Sequence, residues 1–256
     1  MIERSENRRR VLAFVVSMLA SLAGLLLLPA IGQQQSYHDF ADQRIIFGIP
    51  YFWNVVSNVP FIAIGLAGIR RAHRDPAVVV LFLSILMTGF GSSYYHLDPN
   101  DDTLFWDRLP MSIGFMAILA LAIEERLDAA AGAALLWPLV GVGIFSLLLW
   151  RWSGDLRLYG WVQFFPVIAL PLLFLFFPAK YSGTSCWLVA AALYAAAKLF
   201  EFYDHAIFSF GSIVSGHTLK HLAAVAACFA ILRYFQTRQP MRDRVQCRCR
   251  RVLAHR

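Results

Sequence analysis

The sequence predicts an all-α, polytopic membrane protein, with a core bundle of seven transmembrane helices preceded by one further hydrophobic helix. Of the 256 residues, 59% are hydrophobic and only 15% are charged, whereas a soluble domain carries about 25% charged residues. The apolar residues come in blocks of roughly twenty, the length that spans a bilayer as an α-helix. The formal net charge of +7 arises from arginines at the block ends and in the C-terminal tail. Membrane topology therefore explains this charge better than nucleic-acid binding does.

The N-terminal part combines an arginine-rich flank with an apolar run over residues 11–31. Such a run fits either a signal peptide, with a cleavage site at Ala30-Ile31-Gly32, or a transmembrane helix. Because the run is longer than the about 7–15 residues usual for a signal peptide, an uncleaved extra helix is favoured. The predicted parts of the chain are the N-terminal flank and helix (1–35), the seven-helix core (36–236) and a basic cytoplasmic tail (237–256).

Seven further apolar segments are predicted to cross the membrane after the first. They cover residues 52–69, 77–95, 106–123, 129–149, 159–177, 185–203 and 213–235. Alternating these spans from a cytoplasmic N-terminus places both termini in the cytoplasm and residues 32–50 on the outer, periplasmic or luminal side. Arg44, Arg151 and Arg157 then fall in outer loops, while most other basic residues face the cytoplasm, as the positive-inside rule requires.

Five polar residues lie at the outer ends of these spans, at one membrane depth. Ser92 and His96 end the third span, Asp107 begins the fourth, and His217 and His221 occupy the first two turns of the eighth. Residues four apart share one helix face. A helical H-x-x-x-H places two imidazoles on one zinc ion, and a third histidine leaves open the fourth position typical of a catalytic site.

Each of these residues also has a purely structural explanation. A single histidine near a helix end often only forms hydrogen bonds, and Ser92 would let two helices approach closely. Asp107 would be favoured at a helix N-terminus by the helix dipole. Because ionisable groups at membrane depth are costly, their coincidence at one level favours function.

Three residues, Tyr95, Lys198 and Glu201, are weaker candidates for contacts with a substrate or with the metal ligands. Lys198 and Glu201 are three apart on one face of the seventh span and either neutralise each other or contact a substrate. Tyr95 directly precedes His96. Lys220 lies between the two histidines of the eighth span but on another face, where we expect it to snorkel outward.

The three motifs resemble those of the alkaline ceramidase family, which belongs to a wider superfamily of membrane hydrolases that includes the progestin and adipoQ receptors. The family pattern G-S-x-x-x-H, D-x-x-P-M and H-x-x-x-H reads here, in order, as residues 91–96, 107–111 and 217–221. Residues 52–58 look like the start of the family's first core helix, and the similarity extends over residues 37–235.

The resemblance implies zinc-dependent hydrolysis of the amide bond of ceramide, or of a related N-acyl lipid, to a fatty acid and a sphingoid base. It implies that His96, His217 and His221 bind Zn²⁺ and that Asp107 holds and deprotonates the metal-bound water. Ser92 would form a hydrogen bond within the site or stabilise the oxyanion. General chemistry agrees, because zinc lowers the pKa of bound water to ~7 and a carboxylate base typically adds ~10²–10⁴-fold in rate.

A calcium site is doubtful. Eukaryotic members of the family carry one, built from N-terminal acidic residues and a glutamate just before the F-W-N of the first core helix, and that position is Tyr51 here. Asp39, Asp42 and Asn54 are oxygen ligands nearby, and hard cations need several such oxygens. A polar external loop that caps the bundle explains these three residues better.

Two other functions stay open on the sequence alone. One is a hydrolase acting on a different lipid amide or ester, and the other is a zinc-containing receptor or transporter. An open coordination position beside Asp107 favours hydrolysis. A transporter should carry further polar residues toward the cytoplasmic side, and the third, fourth and eighth spans carry few.

Overall fold

The computed structural model describes residues 2–72 and 75–241, with side chains from residue 9 onward, and within these ranges the chain is all-α. Eight helical segments in the described part are long and apolar enough to cross a membrane, which confirms the predicted polytopic fold. The predicted tail beyond Met241 lies outside the described residues. The helices are α1 (Ile2–Leu26), α2 (Phe52–Val56), α3 (Val59–Arg71), α4 (Pro76–Leu97), α5 (Asp101–Arg126), α6 (Ala129–Ser153), α7 (Arg157–Phe176), α8 (Thr184–Phe202), α9 (Asp204–Ser209) and α10 (Gly216–Thr237).

The second span consists of two helices, so the prediction of one helix over residues 52–69 was wrong in this detail. α2 ends at Val56, and α3 begins at Val59 with Pro60 in its first turn. Proline suits the first turn of a helix, where its missing N–H is not needed. The intervening Ser57 and Asn58 are buried, so the break carries two polar side chains into the bundle.

Several helix ends differ from the limits of the apolar runs because capping residues set them. α5 begins five residues before the predicted span, since the Asn100 side chain accepts hydrogen bonds from the backbone N–H groups of Asp102 (2.9 Å) and Thr103 (3.0 Å). α10 begins three residues later than predicted, where Ser215 Oγ accepts from the N–H of Thr218 (3.1 Å). Such side chains satisfy the free N–H groups of the first helical turn.

The N-terminal helix α1 packs at the periphery of the bundle, against α7. Trp161 Nε1 donates a hydrogen bond to Ser21 Oγ (2.9 Å), and the rings of Phe14 and Phe165 lie 6.1 Å apart. α1 ends at Leu26, earlier than the predicted limit at residue 31. Pro29 follows shortly after, and a proline disfavours helical geometry in the residue before it.

Two glycines allow close helix crossings at the end of the bundle that carries the predicted site. A Cβ at Gly91 of α4 would overlap the carbonyl oxygen of Trp106 in α5. A Cβ at Gly216 of α10 would overlap the carbonyl oxygen of Phe200 in α8. The absence of a side chain at these two positions therefore brings α4 onto α5, and α10 onto α8, at the same end.

Candidate metal centre

The three predicted histidines converge. His96 ends α4, His217 and His221 lie in the first two turns of α10, and one ring nitrogen of each lies within 4.8 Å of the others. The Nε2 atoms of His96 and His217 are 3.2 Å apart. Two nitrogen ligands at 2.0–2.1 Å from a tetrahedral zinc ion are separated by about 3.3 Å. These two nitrogens therefore have the spacing of ligands to one metal ion.

The third imidazole completes a nearly equilateral set. Ring centroids are 4.8 Å apart for His96 and His217, 5.0 Å for His96 and His221, and 4.8 Å for His217 and His221. All three residues are buried. Among the His, Cys, Asp and Glu side chains of the described residues, these three histidines lie close enough together to hold a metal ion.

Ser57 contacts His221 at Nδ1. The Ser57 hydroxyl donates its proton to the carbonyl oxygen of Asn54 (3.1 Å) and lies 2.7 Å from His221 Nδ1. A hydroxyl has one proton to donate, so with that proton on Asn54 it accepts from an imidazole that is protonated at Nδ1. This arrangement leaves the lone pair of His221 Nε2 free for a metal, as outer hydrogen bonds to metal-ligating histidines commonly do.

Tyr95 contacts His96 through its ring and not through its hydroxyl. The two ring centroids are 4.9 Å apart, whereas the Tyr95 hydroxyl lies 2.8 Å from His38 Nδ1. His96 Nδ1 is buried and has no hydrogen-bond partner among the described residues. Packing, and not hydrogen bonding at Nδ1, therefore sets the orientation of this imidazole.

Asp107 and Ser92 lie in the same cavity lining as His221. Both are buried, and they lie on the two sides of the close crossing of α4 and α5. Together with His221 they line one end of a cavity of about 170 Å³. The structure thus brings the predicted carboxylate and hydroxyl to the same cavity as a predicted metal ligand.

The rest of the cavity is apolar and runs along the interior of the bundle. It extends between α3, α4, α5, α7, α8 and α10, and its walls away from the histidines include Leu81, Ile85, Leu170 and Ile231. The cavity therefore has a polar end beside the histidines and a hydrocarbon-like body.

Lys220 points into the bundle, so the expectation that it snorkels outward was wrong. Its Nζ atom lies 2.6 Å from Glu201 Oε1, and it lines the same cavity as Asp107. Glu201 also forms an ion pair with Lys198 and accepts a hydrogen bond from the Tyr37 hydroxyl (3.2 Å). A buried carboxylate on α8 makes the inward position favourable, since charges inside a membrane bundle pair with one another.

Arg108 is a further buried charge that the sequence did not single out. Its guanidinium carbon lies over the rings of Tyr159 (4.7 Å), Trp150 (4.9 Å) and Tyr37 (5.1 Å), and cations over aromatic faces are attracted to them. Burial, and then the charge of Glu201, raise the pKa of the Tyr37 phenol. Tyr37 therefore stays protonated and donates to Glu201.

The three residues considered for calcium bind three different partners. Burial acts to raise the pKa of Asp42, but two hydrogen bonds from the Arg44 side chain (2.8 and 2.6 Å) outweigh burial and hold that pKa below its usual range. Asn54 Oδ1 accepts from the Thr218 hydroxyl (2.9 Å), and Asp39 Oδ1 accepts from Gln43 (3.3 Å). The contacts of Asp39 and Asp42 fit the polar loop that caps the bundle, whereas Asn54 is buried in α2.

These features define the class of the protein: an all-α, multi-pass membrane bundle with a candidate metal centre at one end and an apolar cavity leading to it. The sequence profile of the Ceramidase family matches residues 32–175, more than half of the chain. The protein belongs to this family, whose membership implies a membrane hydrolase that acts on amides. No curated protein matches the chain.

The family match covers only part of the candidate centre. It contains Ser92, His96 and Asp107 but ends before His217 and His221. The geometry of the fold, and not the match, connects the two histidines of α10 to the other three residues.

Proposed function

We propose that the protein is a zinc-dependent hydrolase that cleaves the amide bond of ceramide, or of a related N-acyl lipid, into a fatty acid and a sphingoid base. The observation that carries this proposal is the convergence of three buried imidazoles beside Asp107 at the polar end of an apolar cavity. Zinc is the favoured metal because neutral imidazoles suit it. Three protein ligands also leave one position open for the reaction.

In this proposal His96, His217 and His221 hold the zinc ion, which when bound polarises the amide carbonyl and promotes ionisation of water. The Asp107 carboxylate accepts a proton from the attacking water and returns it to the amine nitrogen when the C–N bond breaks. The products are then a fatty acid and a free amine. Ser92 orients the Asp107 carboxylate or donates to the oxygen on which negative charge develops.

The cavity suits the acyl chain of such a lipid. Its apolar body lies between helices, within the depth of the bilayer, so the chain stays in hydrocarbon surroundings as the amide reaches the polar end. An ammonium group has three donors, and Glu201 is the partner found for Lys220 Nζ. We therefore assign Lys220, with Glu201 and Lys198, to contact with the polar headgroup.

The proposed topology places both termini in the cytoplasm, the site toward the outer face, and α1 ahead of the core of residues 36–236. Basic residues support this orientation. Arg70 and Arg71 at the end of α3, Arg126 at the end of α5, and Lys180 between α7 and α8 all lie at the end of the bundle opposite the histidines.

Fatty-acid release from ceramide by the purified protein tests the proposal. Turnover should be lost on chelation and restored by zinc. Asp107→Asn should keep its zinc but lose roughly 10²–10⁴-fold in turnover, as expected for removal of a general base. Asp102→Asn, an exposed aspartate of the same helix, is the matched control.

Turnover in metal-free protein, or unchanged turnover in Asp107→Asn, would contradict this mechanism. If zinc is bound but ceramide is not hydrolysed, a panel of other lipid amides and esters should be tested as substrates. Zinc without hydrolysis of any of them would favour a receptor or a transporter.

A further inference from the structure

A short stretch of residues 37–44, the covering segment, lies across the histidine end of the bundle. Phe40 is its most buried aromatic residue, at 3% exposure. The Phe40 ring centroid is 4.7 Å from that of His96 and 4.4 Å from that of His217. One apolar side chain therefore packs directly on two of the three candidate metal ligands.

Asp204, the first residue of α9, ties the covering segment to α10. Its Oδ2 atom accepts a hydrogen bond from the N–H of Ala41 (3.0 Å), and its Oδ1 atom accepts one from the N–H of His217 (2.7 Å). The first N–H groups of a helix have no partner within the helix. A single buried carboxylate thus satisfies the start of α10 and anchors the residue next to Phe40.

Further bonds hold the covering segment on its other sides. His38 bonds to Tyr95 of α4 (2.8 Å) and to Asp101 of α5 (3.0 Å). His205 Nε2, in α9, bonds to the carbonyl oxygen of Asp39 (2.9 Å). Contacts with three helices that surround the histidines make this segment a fixed cover.

We propose that Phe40 and Asp204 are positioning residues that close the metal centre against bulk water, with Phe40 as the plug and Asp204 as its anchor. This inference rests on the proposed metal centre and adds an access route to it. With the end of the bundle closed, the substrate amide reaches the histidines through the apolar cavity between the helices and not from the aqueous face.

The rate at which full-length, zinc-loaded protein loses zinc to a hydrophilic chelator tests this closure. Phe40→Ala and Asp204→Ala should each lose zinc roughly 10–100-fold faster than the wild type, the range typical of losing support around metal ligands. Phe40→Leu keeps an apolar side chain over the imidazoles and should stay close to the wild type. Equal rates of zinc loss in the wild type and Phe40→Ala would overturn the proposal.

Two control variants separate closure from a general loss of stability. Phe82→Ala removes a buried phenylalanine from the other half of α4, and Asp75→Ala removes the aspartate that caps the start of α4. Both should lower the thermal unfolding midpoint without changing the rate of zinc loss. Faster zinc loss in these controls, to the same extent as in Phe40→Ala, would assign the effect to stability and contradict the proposal.

A second readout needs no bound metal. Carbethoxylation of His96 and His217, followed by mass spectrometry of the chelator-treated protein, should be faster in Phe40→Ala than in the wild type. Equal modification rates would overturn the closure. A wild-type protein purified without zinc would count against the proposed function, while this comparison would still decide whether Phe40 shields the imidazoles.

Discussion

At the scale of single residues, His221 has a side-chain hydrogen-bond partner at Nδ1, whereas Nδ1 of His96 has none among the described residues. Ser57 lies 2.7 Å from His221 Nδ1 and 3.1 Å from the carbonyl oxygen of Asn54, an arrangement that suits an imidazole protonated at Nδ1 with Nε2 available for a metal. In the proposed metal centre, the hydroxyl would act on the metal by orienting one of its ligands. Ser57 is therefore part of the candidate centre although it is not a ligand.

We expect Ser57→Ala to weaken zinc binding by roughly 10–100-fold, because His221 loses its hydrogen-bond partner at Nδ1. Competition with a chelator of known affinity measures the change in the zinc dissociation constant. Ser84→Ala is the matched control, since Ser84 is buried and its hydroxyl bonds to Val80 of its own helix (2.8 Å). Equal zinc affinity in the two variants would show that Ser57 does not support His221.

Residue types and spacing were enough to predict that the three histidines come together, but not which residues support them. His96, His217 and His221 stand out because charged or polar groups inside apolar spans are rare and because four-residue spacing sets a common face. Ser57 and Phe40 carry no such signal, and the charge of Lys220 does not show which way its side chain points, since each of the three acts through a partner on another element. The outward direction predicted for the Lys220 side chain was wrong for this reason, because its partner Glu201 lies 19 residues earlier in the chain, on α8.

At the scale of elements, the crossing of α4 and α5 positions Ser92 and Asp107. Gly91 allows the backbone of α5 to approach at Trp106, directly before Asp107, while Ser92 directly follows the glycine. A larger residue at this contact would push the two helices apart. In the first motif, G-S-x-x-x-H, the glycine therefore serves packing, while the proposed function assigns the serine and the histidine to chemistry.

Gly91→Ala should lower the free energy of unfolding by about 1–3 kcal/mol, the usual cost of inserting volume into a packed contact. It should also reduce turnover, because Ser92 and Asp107 move apart. Gly141→Ala in α6 is the control, since nothing lies within 4 Å of its added Cβ. Denaturant titration together with fatty-acid release checks both effects, and wild-type behaviour of Gly91→Ala would contradict the role of the crossing.

Hydropathy predicted the membrane-spanning helices, but not the residues at which they begin and end. The length of an apolar run reflects the thickness of the bilayer. The start of α5 and of α10 is instead set by the capping side chains of Asn100 and Ser215. The break between α2 and α3 was also missed, because a short turn within an apolar span hardly changes its mean hydropathy. That break matters for the site, since it carries Ser57 to His221.

At the scale of the whole molecule, the bundle joins a polar end with three histidines to an apolar cavity of about 170 Å³. Sequence reasoning did not reveal this cavity, because its walls come from six helices and no single helix shows the void. The cavity predicts the orientation of the proposed substrate, with the amide at the histidines and the acyl chain along the bundle.

Ala227→Phe should shift the preference toward shorter acyl chains, because Ala227 of α10 lines the cavity and a phenyl ring would fill part of it. Turnover of substrates that differ only in acyl length measures the shift. Ala226→Phe, on the same helix but outside the cavity lining, is the control. An unchanged chain-length profile in Ala227→Phe would place the acyl chain elsewhere.

The zinc content of the purified protein tests the central claim most directly. Elemental analysis of the wild type should find about one zinc ion per chain, since three histidines form one site. His217→Ala, with unchanged helix content, should hold almost none. Zinc in the variant at the level of the wild type, or no zinc in a folded wild-type preparation, would contradict the assignment of the three histidines as a metal centre.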